Sequence, residues 1–376
     1  MPKNSVTETE DVRTYFALLR RALWGTPAGE VNSLEGALEI ARIQRTRGLV
    51  YQAVLDENIP IDEKRYASFD ELLLRTAYTH SMQSEILLKV VGALREKGIE
   101  SVLLKGEGNS RRYPSPYLRE CGDLDIYVGR KNYSEACRIV RELAKPKDAE
   151  EAISSDKHYH ISIGGVSVEI HRFTHVFSPA RLDPLYQKYS DDGTSKDLFP
   201  IQVVKDMVNT PEVTFNAFFI FVHTWHHFVN WGVGVRHLCD LAVFLHSERE
   251  NIDRERLSSM IESLELWVPW KTMTSLMVEH LGLPKEDALC YDPSFREKAE
   301  FSLEIILEEG NFGQERKKDR KRSANYYVSK AQSLFWWIER DRRLAKAFPG
   351  LMGQHIGRIL VRGFKQVWDD KTGGDD

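Results

Sequence analysis

Apolar positions recur at helical spacing over Val12 to Trp24 and again over Leu34 to Thr46, which predicts two amphipathic helices. The segment between them, GTPAGEVNS, is rich in turn formers, and Ser33 stands where an N-cap is expected. A longer helix is predicted from about Tyr66 to Lys97. Leu72, Leu73, Tyr78, Met82, Ile86, Val90 and Leu94 would form its buried stripe, with Gly98 as the stop.

The pattern then shortens. Ile99 to Leu104 is a brief apolar run, and Leu124 to Val128 alternates. Tyr133 to Leu143 is helical again. His158 to Ile163 and Val166 to Phe173 both alternate, and Gly164-Gly165 between them predicts a hairpin turn. This order implies a small mixed sheet with helices packed on it. From about Val203 the spacing is helical to the end, broken at Gly232 to Val235 and at Gly310 to Gly313. Lys317 to Arg322 is a charge run, expected as a mobile loop. The fold class is therefore α+β, divided at 1–97, 98–180 and 181–376.

The chain has 376 residues and a net charge of -4, enough for a full core. A near-neutral balance argues against bulk nucleic-acid coating without excluding a local basic pocket. The longest apolar stretch, Phe215 to Val222, is too short to cross a bilayer, and the N-terminus offers no signal-peptide core. No membrane partner is expected. The four cysteines are far apart and form no Cys-x-x-Cys pair. A reducing, cytoplasmic setting fits, in a bacterial cell.

Chemistry concentrates in CGDLDIYV. Asp123 and Asp125 are two apart on a strand, so both carboxylates point the same way. Two like charges so close call for a cation, and Mg²⁺ prefers one or two carboxylates plus phosphate oxygens. Taken alone, the pair could be two solvated carboxylates at a strand edge. Its surroundings weigh against that. Lys105-Gly106 ends the preceding strand, Arg111, Arg112 and Arg119 approach the pair, and Glu169 alternates with Val168 and Ile170 on a later strand.

These residues carry a resemblance. Lys105-Gly106, Tyr113-Pro114, Arg119 to Asp125 and Glu169-Ile170-His171 resemble the uncharacterised nucleotidyltransferase family of the polymerase-beta-like superfamily. Gly232 to Asp240 resembles that family's G-x-G segment ending in Leu-x-Asp, and Gly310 to Gly313 its late G-N-F-G segment. The resemblance implies a small nucleotidyltransferase core between N-terminal helices and a larger C-terminal helical region. It implies a metal triad of Asp123, Asp125 and Glu169 that binds Mg²⁺ or Mn²⁺ and carries two-metal phosphoryl transfer from a nucleoside triphosphate. Lys105, Gly106, Arg119, Arg236 and Asp240 would line the nucleotide or acceptor pocket. The wider superfamily ends its first strand in Gly-Ser or Gly-Gly, where this chain has Lys105-Gly106-Glu107-Gly108; Glu107 should therefore point away from phosphate.

The acceptor is open between a small molecule, a peptide and a protein. A non-catalytic nucleotide-binding module of the same fold is the first rival, and a histidine-based phosphohydrolase the second. His158, His160 and His171 admit either a place near the metal or strand-edge hydrogen bonding. His223, His226 and His227 lack the glutamate of a zinc-protease helix and read as packing or cleft lining. Arg236 and Asp240 are spaced to pair across one helical turn. Phe335, Trp336, Trp337, Leu344 and Phe348 read as a packing surface.

Overall fold

The computed structural model describes residues 6–154, 158–318 and 325–350. The chain divides into two compact units, Met1–Phe312 and Gly313–Asp376. The first opens with α1 (Glu10–Trp24), α2 (Leu34–Gln44), α3 (Arg47–Asp56) and α4 (Glu63–Glu96). Side chains cap two of these starts: Thr9 accepts from Val12 N at 3.4 Å and Asp62 from Arg65 N at 2.7 Å. Ser33 does sit at the N-cap of α2, but its hydroxyl donates to Asp11 and not to the helix.

The expected stripe on α4 holds only over its second half. Ile86, Val90 and Leu94 are buried with Leu87 and Val91, whereas Tyr78 is 67% exposed and Leu72 and Leu73 are half-buried. The second half lies on the sheet core and the first half extends past it. What the middle of α4 buries is polar: His80, Gln83 and Ser84. Gly98 ends the helix region with a positive φ of 70°, and Ile99 N returns to Leu94 O at 3.0 Å.

The sheet follows, with β1 (Val102–Leu103), α5 (Glu107–Ser110), β2 (Asp123–Tyr127), α6 (Gly129–Leu143), α7 (Pro146–Glu150), β3 (Ile153–Ser154), β4 (His158–Ile163) and β5 (Val166–His171). Its order is β1-β2-β5-β4-β3, with β2 and β5 parallel and the other pairs antiparallel. Gly164 and Gly165 have φ of 59° and 82°, as the tight turn joining β4 to β5 requires. Alternation divides the sheet cleanly. Leu124, Ile126, Ile161, Val168 and Ile170 join α4 and α6 in one core, and the intervening residues form a polar face.

The region after Val203 is not helical throughout. After α8 (Asp183–Gly193), β6 (Phe199–Val203) and β7 (Asp206–Thr210) pair as a hairpin. Two short alternating runs around a turn bury Ile201, Val203 and Val208 in the sheet's core, and neither is long enough for an independent helix. Helices then resume with α9 (Val213–Asn230), α10 (Val235–Ser247), α11 (Arg254–Ser263), α12 (Trp267–Glu279) and α13 (Arg296–Glu309). α9 is buried almost all round and packs against α8, α10 and α11.

In the second unit, the described residues include α14 (Gln314–Lys318) and α15 (Tyr326–Leu344), the latter capped by Asn325. Leu344 and Phe348 are buried, but Phe335 is 64% exposed. Residues 319–322 of the charge run lie outside the described residues.

Gly48 in α3 faces the turn that leads to Arg119. A Cβ at Gly48 would stand 2.3 Å from Leu118 O. Gly48→Ala should therefore cost about 1–3 kcal/mol through overpacking. Urea unfolding measures this, and an unshifted midpoint would refute the close approach.

Candidate active site

The parallel pairing of β2 with β5 sets Asp125 opposite Glu169 and Asp123 opposite Ser167. Leu124, Ile126, Val168 and Ile170 anchor both strands from the other face, so a register slip would bury the acids and expose the core. Ligand oxygens of Asp123, Asp125 and Glu169 fall within 4.8 Å of one another. Three carboxylates so close repel strongly, and two cationic groups offset this. His171 Nε2 lies 3.0 Å from Asp125 Oδ1 and 3.2 Å from Glu169 Oε2, and Lys105 Nζ lies 3.3 Å from Asp125 Oδ1.

Each charge shifts the others. Burial alone would raise the Asp125 carboxyl, but Lys105 and His171 outweigh it and hold its pKa below the usual carboxylate value. Glu169 is likewise held low, chiefly by His171 against burial. Burial would depress His171, yet its bonds to the two carboxylates lift it to about 9. The second oxygen of Asp125, Oδ2, is buried with no hydrogen-bond partner among the described residues. An unsatisfied buried carboxylate oxygen is costly, and a divalent cation is a fitting partner for it within an all-oxygen set.

A pocket of about 330 Å³ opens over this face. Its opposite wall is made by α9 and α10, which contribute His223, His226, His227, Arg236 and His237. Lys105 spans the two walls, because its Nζ is also 3.1 Å from His223 Nε2. The His223 and His227 ring centroids are 4.3 Å apart. Burial, reinforced by Lys105 and neighbouring imidazoles, pushes His223 and His227 well below the usual histidine value, and burial with Arg236 does the same to His237. All three are neutral near pH 7.

Arg119, Arg236 and Asp240 line the pocket, as expected, but they pair differently from expectation. Asp240 does not pair with Arg236. It accepts from Arg119 Nε at 2.6 Å and Nη2 at 2.7 Å, and from the Tyr113 hydroxyl at 2.7 Å. A fork-like bond of this kind outcompetes a single turn-spaced contact. Arg236 Nη1 donates to Glu120 O at 2.7 Å, and its Nε is buried without a partner among the described residues. Arg111 is bound to Glu107 and Arg112 to Glu248, so neither approaches the carboxylate face as a phosphate ligand. Glu107 is fully buried, facing His80 at 2.8 Å and Arg111 at 2.6 Å; it points away from the pocket, as its charge requires.

Gly106 holds a φ of 63° at the start of α5, and a Cβ there would meet Asp123 O at 3.2 Å. The glycine thus lets the chain after β1 turn tightly against the acid strand. Sequence reasoning did not single out Asn109 or His175, and took His237 only as part of a longer segment. All three line the pocket. Both amide atoms of Asn109 are buried without partners among the described residues. Three residues after Gly106, an asparagine amid small residues was a weak signal. His237, between Arg236 and Asp240, was a stronger one.

A family model described as an uncharacterised nucleotidyltransferase matches residues 32–282. No curated protein and no solved structure matches the chain. Among the described residues, no helix is long and apolar enough to cross a membrane.

The neutral histidines make stability depend on pH. Their folded pKa values lie below the unfolded value, so the unfolded chain binds protons that the fold refuses. Their contribution is complete above about pH 6.5 and falls below it, by roughly 1.4 kcal/mol per pH unit for each such histidine, whereas His171, lifted to about 9, adds stability that is lost as pH rises towards that value. Unfolding at pH 7.5 and 5.5 measures the slope, and His227→Gln should reduce it. An unchanged slope would mean that His227 is protonated in the fold.

Proposed function

Because the chain belongs to this nucleotidyltransferase family, we propose that it transfers a nucleoside monophosphate from a nucleoside triphosphate to a hydroxyl-bearing acceptor. The acceptor oxygen attacks the α-phosphorus, the bond to the bridging oxygen breaks, and pyrophosphate leaves. The observation that carries this reading is the buried, unpartnered Oδ2 of Asp125, a residue that lines the pocket and groups with Asp123 and Glu169.

Asp123, Asp125 and Glu169 would hold Mg²⁺ or Mn²⁺. A bound divalent cation there supplies charge neutralisation for the triphosphate and the departing pyrophosphate. Lys105 and Arg236 are the pocket cations suited to phosphate oxygens, since Arg236 carries no carboxylate partner among the described residues. Arg119 acts through Asp240, fixing α10 to the loop before β2. Glu169 accepts the proton of the attacking hydroxyl. The neutral imidazoles of His223, His227 and His237 offer hydrogen bonds to an acceptor without repelling a cation. A small molecule, a peptide or a protein each fits as the acceptor class.

Two variants separate binding from chemistry. The Asp123→Asn, Asp125→Asn double variant should lose Mg²⁺-dependent triphosphate binding in calorimetry while remaining folded by circular dichroism. Glu169→Gln should keep affinity within about tenfold, yet lower turnover on the order of a hundredfold or more, the scale of a lost general base. Normal turnover in Glu169→Gln would remove the third carboxylate from the mechanism, and unchanged affinity in the double variant would remove the site.

A further inference from the structure

Glu169 belongs to two potential ligand sets. One is the oxygen set with Asp123 and Asp125. The other is formed with His158 and His171, whose ligand nitrogens also fall within 4.8 Å of a Glu169 oxygen and of each other. The sheet builds this second set directly. His158 is the cross-strand partner of His171, and Glu169 lies two residues before His171 on the same face. His171 Nε2 is 3.2 Å and His158 Nε2 3.8 Å from Glu169 Oε2, and the two imidazole centroids are 5.1 Å apart. All three side chains are partly open to the pocket they line.

We propose that His158, His171 and Glu169 form a second cation position, nitrogen-bearing and sharing Glu169 with the oxygen set, in which the bound cation takes the place of the His171 Nε2 proton that otherwise faces Asp125 and Glu169. The proposal rests on the nucleotidyltransferase reading only for the neighbouring cation. Two cations bridged by one carboxylate is the arrangement of two-metal phosphoryl-transfer sites. The donors differ, however, and so does the selectivity. Two imidazoles with one carboxylate suit first-row transition cations, whereas Mg²⁺ seeks oxygen. The oxygen set therefore takes Mg²⁺ or Mn²⁺, and the imidazole set takes Mn²⁺ or a softer divalent cation in preference to Mg²⁺. His223 and His227, on the opposite wall, are not part of it.

Mn²⁺ added to the full chain is the probe, read by calorimetry and by pulsed electron paramagnetic resonance, which detects nitrogen bonded to the ion. The expected result is two bound Mn²⁺ per chain, one of them displaced by excess Mg²⁺. The retained ion should show nitrogen modulation that changes on labelling histidine with ¹⁵N. His158→Ala should weaken that modulation and lower Mn²⁺ affinity at this position at least tenfold, and His223→Ala should leave both unchanged. His158 is on a partly exposed strand end, which favours folding of the variant, and the isotope arm needs no substitution. Absence of histidine coupling, or coupling that survives His158→Ala, overturns the proposal. Failure of the nucleotidyltransferase reading would look different: nitrogen-coupled Mn²⁺ would persist while triphosphate failed to bind with Mg²⁺.

Discussion

Electrostatic crowding on one face of a five-stranded sheet constrains the rest of the structure. The β2–β5 register brings Asp125 beside Glu169 and keeps Asp123 within reach. The fold must offset this charge or lose stability. It does so with Lys105 from the end of β1 and His171 from β5 itself. Lys105 arrives at the right height because Leu104 N bonds Asp125 O at 3.0 Å, carrying the β1 pairing one step past the strand. Neither group satisfies Asp125 Oδ2, and that residual demand is what supports the proposed cation site.

Around this centre the remaining charges are paired off, and the pairing selects which of the pocket's cations is left without a carboxylate partner. Arg119 is committed to Asp240, Arg111 to Glu107 and Arg112 to Glu248. These contacts bind the segment between β1 and β2 to α10, to its own helix and to the end of α10. Gln44 adds a further tie: its Oε1 accepts from Val235 N and its Nε2 donates to Ile306 O, both at 3.0 Å. Gly234 makes room there, since a Cβ would stand 3.0 Å from Asn311 Oδ1. Gly234 and Asn311 thus meet at one point and aim the start of α10, with Arg236, at the pocket.

Much of this was legible in the sequence where periodicity and turn chemistry agree. The hairpin ending in Glu169 and His171, the two helix breaks and the same-face acids follow from local patterns. So did the turn of Glu107 away from the pocket, from charge alone. Partner choice was not legible. Arg236 and Asp240 have the right spacing for an ion pair, but Asp240 is taken by a residue 121 positions away in sequence. Arg111 and Arg112 likewise find partners that no local rule names. The β6–β7 hairpin was hidden because its strands hold five residues each and sit among long helices. On α4, apolar spacing could not reveal that Tyr78 lies beyond the reach of the core.

The central claim is that this face directs attack at an α-phosphorus. The direct measurement uses one nucleoside triphosphate labelled in separate samples at the α- or the γ-phosphate. Each is incubated with the protein, Mg²⁺ and a cell extract as the source of acceptor. The account predicts that α-label enters an acceptor while γ-label leaves as pyrophosphate, with both signals dependent on active protein. Transfer of γ-label to the acceptor, or release of γ-label as orthophosphate with no α-label incorporated, would contradict it.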